Sequence, residues 1–331
     1  MQDKILEIRE NIELIIESDS QKTIKELNLI KEITIEENDI VNIILDGDIK
    51  VNKDSLRKQI ARIIKLNLGY PGLKVVFKDS QMEKLEERKQ SKTRYIGILS
   101  GKGGVGKSNV CANLAIALRD LGYKVGIIDA DIYGSSIPNI FNLRNVEVLG
   151  NADNKIFPII KENIEIISTE FFNEDNKPIV WRGPMLAKML NHFFNDVLWS
   201  EDLDFMLIDL PPGTGDVLID FSKFVPESEM ILVTTPHINA STVAIKAGIM
   251  MNNLNHKIIG VVENMSYYLN PINNEKDYVF GFGGVNDIKN KLNTVCLAQI
   301  PLERPTGQYL SIYDKKDRNY QVYQELAKKI L

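Results

Sequence analysis

The sequence predicts an α/β protein: a doubly wound, mostly parallel sheet preceded by a smaller α/β domain. Three observations carry that prediction. Short, continuously apolar runs such as MLID and IIGVV recur from Tyr95 onward, as strands covered on both faces require. Helical patterns lie between most of these runs. The first run, Tyr95–Ser100, leads directly into Gly101-Lys102-Gly103-Gly104-Val105-Gly106-Lys107-Ser108 and then into a helical stretch closed by Gly122. Strand, glycine loop and helix follow in the order a phosphate-binding turn needs.

The elements follow in order. Ile5, Ile8, Ile12, Ile15 and Ile16 have helical spacing. Ile30–Ile35 and Ile40–Leu45 alternate as strands, with Glu37-Asn38 as a hairpin signal. Ser55–Leu66 returns to helical spacing, and Pro71-Gly72 leads into a last strand, Leu73–Phe77. Residues 1–80 therefore read as the small domain, suited to docking or regulation. Residues 81–94, almost entirely polar, read as a linker. Residues 95–331 form the main domain. Its expected strands are Tyr95–Ser100, Lys124–Asp129, Ile164–Ser168, Phe205–Asp209, Met230–Thr234, Lys257–Glu263 and Val295–Ile300, with ligands at their carboxyl ends. The last helix, Arg318–Leu331, is barely basic and suits packing on the core better than membrane binding.

Composition narrows the function classes. The 331 residues carry 40 Lys and Arg against 45 Asp and Glu, so no basic excess points to nucleic acid. No apolar run is long enough to span a bilayer. The acidic, amphipathic N-terminus resembles neither a signal peptide nor a transit peptide. Two cysteines, Cys111 and Cys296, cannot build a disulfide framework, which suggests a reducing cytoplasm. Each reads as a small buried hydrophobe. His192, His237 and His256 are scattered and suggest no metal site.

Chemistry concentrates at the loop and at two strand tips. The loop glycines let backbone N–H groups converge on an anion, and the helix N-terminus adds positive potential there. Lys107 is placed to reach the β- and γ-phosphates, and the Ser108 hydroxyl to ligate Mg²⁺. Two strands end in acids: Asp129-Ala130-Asp131 and Asp209-Leu210-Pro211-Pro212. Asp209 fits the metal partner of a phosphate loop. Asp129 and Asp131 would share a face if their strand continued ideally, one near the metal and one orienting water. Caps or turns are the other use for such acids. Lys102 adds a second loop lysine. It either answers a phosphate bound by a second subunit, giving a nucleotide-bridged dimer, or solvates the loop.

KGGVGKS with the downstream DADIYG resembles the deviant phosphate-loop family that includes MinD, ParA and the Mrp/ApbC proteins. DADIYGSSIP (Asp129–Pro138), WRGP (Trp181–Pro184), DLPPGTGD (Asp209–Asp216) and ENMS (Glu263–Ser266) narrow the resemblance to the Mrp/ApbC branch, ATP-binding iron–sulfur cluster carriers. The first 80 residues look like the small domain often found ahead of that ATPase. The resemblance implies a Mg²⁺-dependent ATPase of the deviant P-loop fold, acting slowly as a homodimer that passes clusters to apo-protein clients. By it, Gly101 to Asn109 cradle the nucleotide and Lys102 reaches across the dimer. Lys107, Lys102 and Asp131 are catalytic, Ser108, Asp129 and Asp209 surround Mg²⁺, and Asn264 reads adenine.

The sequence departs from that family where a C-P-x-C pair commonly holds a bridging [4Fe–4S] cluster. Here the stretch reads Asn270-Pro271-Ile272-Asn273, with no thiolate. Asn109 stands where Thr is usual, and Ser135 replaces a proline. A cluster-free nucleotide switch or scaffold in iron–sulfur assembly is therefore the alternative function. A MinD/ParA-like positioning ATPase is a third reading, opposed by WRGP, the N-terminal domain and the acidic balance.

Overall fold

The computed structural model describes residues 2–36, 39–78, 92–132, 134–144, 146–172, 183–226 and 228–331. The hairpin signal Glu37-Asn38, most of the polar linker, Tyr133 and Trp181-Arg182 lie outside them. The chain divides into two compact units, Met1–Lys89 and Gln90–Leu331.

The first unit runs α1 (Gln2–Glu13), β1 (Ile30–Ile35), β2 (Ile40–Asp46), α2 (Lys53–Arg62) and β3 (Gly72–Lys78). The order helix, strand, strand, helix, strand matches the periodicity of the sequence. β1 and β2 are antiparallel, and β3 joins β2 in parallel. Ile8 and Ile12 of α1 and Leu56 and Ile60 of α2 bury fully against Val41, Ile43 and Leu45. Asn52 starts α2 by accepting a hydrogen bond from the Ser55 amide at 3.1 Å. The helix runs on into one wider turn, Ile63–Asn67. Glu17 ties the unit together. Its carboxylate is buried and accepts from the amides of Asn52, Ser20 and Asp19.

The second unit is an eight-stranded sheet. Its strands are β4 (Arg94–Ser100), β5 (Val125–Asp129), β6 (Ile159–Lys161), β7 (Ile164–Ser168), β8 (Phe205–Asp209), β9 (Glu229–Thr234), β10 (Lys257–Glu263) and β13 (Cys296–Gln299). They lie in the order β13-β10-β9-β4-β8-β5-β7-β6, with only β6 antiparallel to its neighbour. The doubly wound, mostly parallel sheet is thus the observed fold. Arg94, expected in the linker, instead starts β4, where its guanidinium pairs with Glu229 at 2.6 Å.

Two apolar layers cover the sheet. On one face Ile96, Ile98, Ile127 and Leu207 meet α3 (Lys107–Asp120) and α9 (Arg318–Ile330). On the other, Ile128, Met206, Ile208 and Leu232 meet α5 (Gly183–Asn195), α6 (Asp216–Phe224), α7 (Ile238–Asn253) and α8 (Gly284–Leu292). Alternate residues of one strand feed opposite layers, which explains the unbroken apolar runs. The last helix buries Tyr323, Leu326, Ala327 and Ile330 in the first layer, as its pattern suggested. Among the described residues, no helix is long and apolar enough to cross a membrane.

The backbone amides of Asn52 and Ser20 hold the Glu17 carboxyl down to about 2, from an ordinary value of 4.5. A group lowered on folding contributes stability above its unfolded value and loses it as pH falls toward its folded one. Amide exchange in β1–β3 of the full chain should therefore accelerate as pH drops from 4.5 toward 2, after correction for intrinsic exchange rates. Glu17→Gln should weaken protection at neutral pH and flatten this acid dependence.

Candidate functional site

The loop Gly101–Ser108 leaves the carboxyl end of β4, the strand between β8 and β9, and enters α3. Gly104 and Gly106 adopt φ of +82° and +83°, the left-handed region that glycine enters at little cost. Space also requires glycine at Gly101 and again at Gly106. A Cβ on Gly101 would stand 2.3 Å from the backbone of Val243 and Ala244, so the loop rests on α7. A Cβ on Gly106 would stand 2.2 Å from the Asn264 amide nitrogen. Around Gly103 and Gly104 the space is open. The N-terminal end of α3 opens toward the same space, where unpaired N–H groups suit an anion.

A buried ion cluster lies at the foot of the loop. The Lys107 ammonium is 2.6 Å from Asp209 Oδ1 and 3.3 Å from Asp131 Oδ2. Lys107 is 5% exposed and Asp209 fully buried. Burial works against the lysine's charge, but Asp209 and then Asp131 outweigh it and hold its pKa above the ordinary value. Burial, opposed by Lys107, pushes the Asp209 carboxyl up. Asp209 Oδ2 is buried with no hydrogen-bond partner.

Strand register brings the acids together. Asp129 ends β5 directly beside Asp209 on β8. Burial first, and the neighbouring Asp209 second, raise the Asp129 carboxyl well above the carboxylate range. Asp129 and Asp131 do not share a face. β5 stops at Asp129 and the chain turns, the Ile132 amide donating to the Ala130 carbonyl. Asp131 consequently faces Lys107, whereas Asp129 faces the hydroxyls of Ser135 and Ser168.

A cavity of about 520 Å³ opens over the cluster, lined by Lys102, Gly103, Gly104, Lys107, Ser108, Asn109, Asp131 and Pro212 among others. A second, of about 310 Å³, shares Lys102, Gly103 and Gly104 with it and includes Thr235, His237, Met265 and Phe280. Lys102 is exposed and borders both. Asn264 is buried, and its amide nitrogen donates to the Val105 carbonyl at 2.9 Å, bracing the loop. Asn109 reaches the first cavity, and its carbonyl accepts from Asn113. Asn113 also holds Ser311 and Tyr313, joining α3 to the approach of α9.

The stretch that carries C-P-x-C in the resembling proteins forms a tight hairpin here, β11 (Tyr268–Leu269) with β12 (Lys276–Asp277). Asn270 Oδ1 accepts from the Ile272 amide, and Asn273 Oδ1 accepts from the Glu275 amide. Both asparagines fasten the turn. Cys111 is fully buried, and burial pushes its thiol well up. Cys296, half-buried, is also raised by burial and by Glu263. Neither favours the thiolate that binds iron. Among the described residues, no group of three or more His, Cys, Asp and Glu is placed to hold a metal ion.

Sequence reasoning missed Ser135, Ser168 and Asn113. Isolated hydroxyl and amide side chains leave no periodic signal. Ser135 was visible only as a departure from a usual proline.

Comparison with known proteins places the chain in a family. Residues 91–331 match the ParA family model described as NUBPL iron-transfer P-loop NTPase. The chain is 45% identical over 240 residues to an iron-sulfur cluster carrier protein of Bacillus subtilis, covering 71% of this chain and 67% of the relative. It is 37% identical over 309 residues to one of Mycobacterium leprae, covering 87% and 79%. Its match to one of Aquifex aeolicus, 44% identical, spans only 57% of that relative. A nucleotide-binding protein from Archaeoglobus fulgidus, solved in complex with ADP, superposes with a TM-score of 0.57. The identity is 32%, over 75% of this chain and 91% of that one. The septum site-determining protein MinD of Pyrococcus horikoshii, at 24% identity and a TM-score of 0.52 over 72% of this chain and 96% of that one, shares the fold. Because that model covers residues 91–331, most of the chain, this chain belongs to the ParA family described as NUBPL iron-transfer P-loop NTPase.

Proposed function

We propose that this chain binds and slowly hydrolyses Mg-ATP as a nucleotide-bridged homodimer, and that nucleotide state governs the delivery of iron–sulfur clusters to apo-proteins. The observation that supports the nucleotide part best is the buried Lys107–Asp209–Asp131 cluster beneath an open glycine loop. The carrier part rests on family membership and on relatives named as cluster carriers.

The residues present fit a magnesium nucleotide. Asp209 Oδ2 is a buried carboxylate oxygen without a hydrogen-bond partner, and the Ser108 hydroxyl interacts with the same carboxyl group. Ser108 and Asp209 would hold Mg²⁺ together with phosphate oxygens, and the bound ion would neutralise charge developing on the transferred phosphoryl group. The loop amides, Gly101 to Asn109, bind the phosphates. Lys107 shifts its charge from the carboxylates to the β- and γ-phosphates. Asp131, thereby released, orients the attacking water. Lys102, exposed at the rim of the cavity, supplies its charge to the partner protomer's phosphate. Asn264 reads the adenine by hydrogen bonds, while one of its two side-chain N–H groups stays on the Val105 carbonyl and keeps the loop in place.

The cluster is cargo, and this chain's thiols do not form a C-P-x-C clasp. One specific observation favours a second reading, a cluster-free nucleotide switch within iron–sulfur assembly. Asn270 and Asn273 occupy the usual cysteine positions and are engaged in their own turn.

Lys107→Ala should lower turnover by about 10²–10³-fold, because a preorganised charge on the phosphoryl oxygens is lost. Lys102→Ala should keep nucleotide affinity yet lose ATP-induced dimers in sedimentation velocity. Unchanged turnover in the first variant, or unchanged dimers in the second, contradicts the assigned role. Anaerobic reconstitution with iron and sulfide, followed by transfer to an apo-enzyme, separates the two carrier readings. Visible charge-transfer absorption with transfer supports cargo binding; a colourless protein without transfer supports the switch.

A further inference from the structure

Asp129 is held differently from the other two acids. Its Oδ2 accepts from the Ser135 hydroxyl at 2.7 Å, the Ser168 hydroxyl at 3.0 Å and the Ile137 amide at 3.3 Å. Its Oδ1 faces the Asp131 amide at 3.3 Å. The two serine hydroxyls are 2.7 Å apart. Ser168 comes from the end of β7, the strand next to β5, and also accepts from the Glu170 amide at 3.2 Å. Ser135 comes from the turn between Asp131 and α4 (Ile137–Ile140). Donors from three separate segments therefore converge on one carboxylate.

The contrast with Asp209 is informative. One oxygen of Asp209 meets Lys107 and the other has no partner. Both oxygens of Asp129 already face donors, so a cation or its water would have to displace them. A carboxylate so occupied acts on its neighbours. Asp129 Oδ1 faces the amide of Asp131, the residue whose carboxylate stands 3.3 Å from Lys107. The path from Ser135 to Asp129 to the Asp131 backbone is continuous.

We propose that Ser135, paired with Ser168, is a positioning residue for the hydrolysis assigned to this site, locking Asp129 so that the Asp131 carboxylate is set against Lys107 and the phosphate cavity. The inference rests on the nucleotide reading of that site. It assigns Asp129 the work of orienting Asp131 and leaves contact with the metal's surroundings to Asp209 and Ser108. In this chain the position supplies a hydroxyl donor on a short side chain. The proline usual there in the resembling family has no side-chain donor, so the lock is a feature of this chain.

The test compares the full-length wild type with Ser135→Ala, Ser135→Thr and Ser168→Ala. ADP affinity is measured by calorimetry with and without Mg²⁺, and steady-state hydrolysis is measured in parallel. Losing a hydrogen bond to a buried carboxyl in a site that must be preorganised should lower kcat by about tenfold in Ser135→Ala. ADP affinity and the KM for ATP should stay within about twofold, because the glycine loop and Lys107 are intact. Ser135→Thr restores the hydroxyl and should recover kcat to within about threefold of wild type, and Ser168→Ala should share the kcat-selective loss. Wild-type kcat in Ser135→Ala, a loss confined to nucleotide affinity, or failure of threonine to rescue overturns the proposal. A wild-type chain that neither binds ADP nor hydrolyses ATP would instead overturn the nucleotide reading itself.

Discussion

Everything at this site depends on one buried cation among three buried acids. Lys107, at the start of α3, has left water and is neutralised by Asp209 and Asp131. Charges are costly to bury unless paired, and removing one member of such a cluster costs about 3–5 kcal/mol. The arrangement holds the lysine charged directly beneath the loop. In the proposed function, a polyphosphate entering the cavity would offer that charge an alternative partner and release the acid toward the reacting oxygens.

The sheet makes the cluster possible. Parallel strands align their carboxyl ends, so β5 and β8 deliver Asp129 and Asp209 side by side while β4, on the far side of β8, delivers the loop. Apolar layers on both faces fix those strands, and Gly101 lets the loop settle onto α7 with no side chain between them. Asn264, at the end of β10, braces the same loop from the other side. Charge repulsion between adjacent carboxylates is tolerated because Lys107 and two serine hydroxyls share the burden.

Much of this was legible in the sequence because the determinants are local. Unbroken apolar runs located the main strands to within a residue or two, and a complete glycine motif located the loop. β6 escaped notice because Ile159–Lys161 is three residues long and lies half-exposed at the sheet edge. The expected shared face of Asp129 and Asp131 failed because the strand ends at the first of them. The roles of Ser135 and Ser168 could not be read at all: they meet Asp129 only after β5 and β7 pair and the following turn folds back. Asn270 and Asn273 could be read as lost thiolates but not as the ties of a hairpin. That distinction is one of hydrogen-bond geometry rather than residue type.

The most direct test of the central claim is calorimetric titration of the purified chain with Mg-ADP, repeated with Lys107→Ala. The account predicts saturable binding by the wild type at one site per protomer, and strongly weakened binding by the variant. No heat of binding from the wild type, or equal affinity in both proteins, would contradict it.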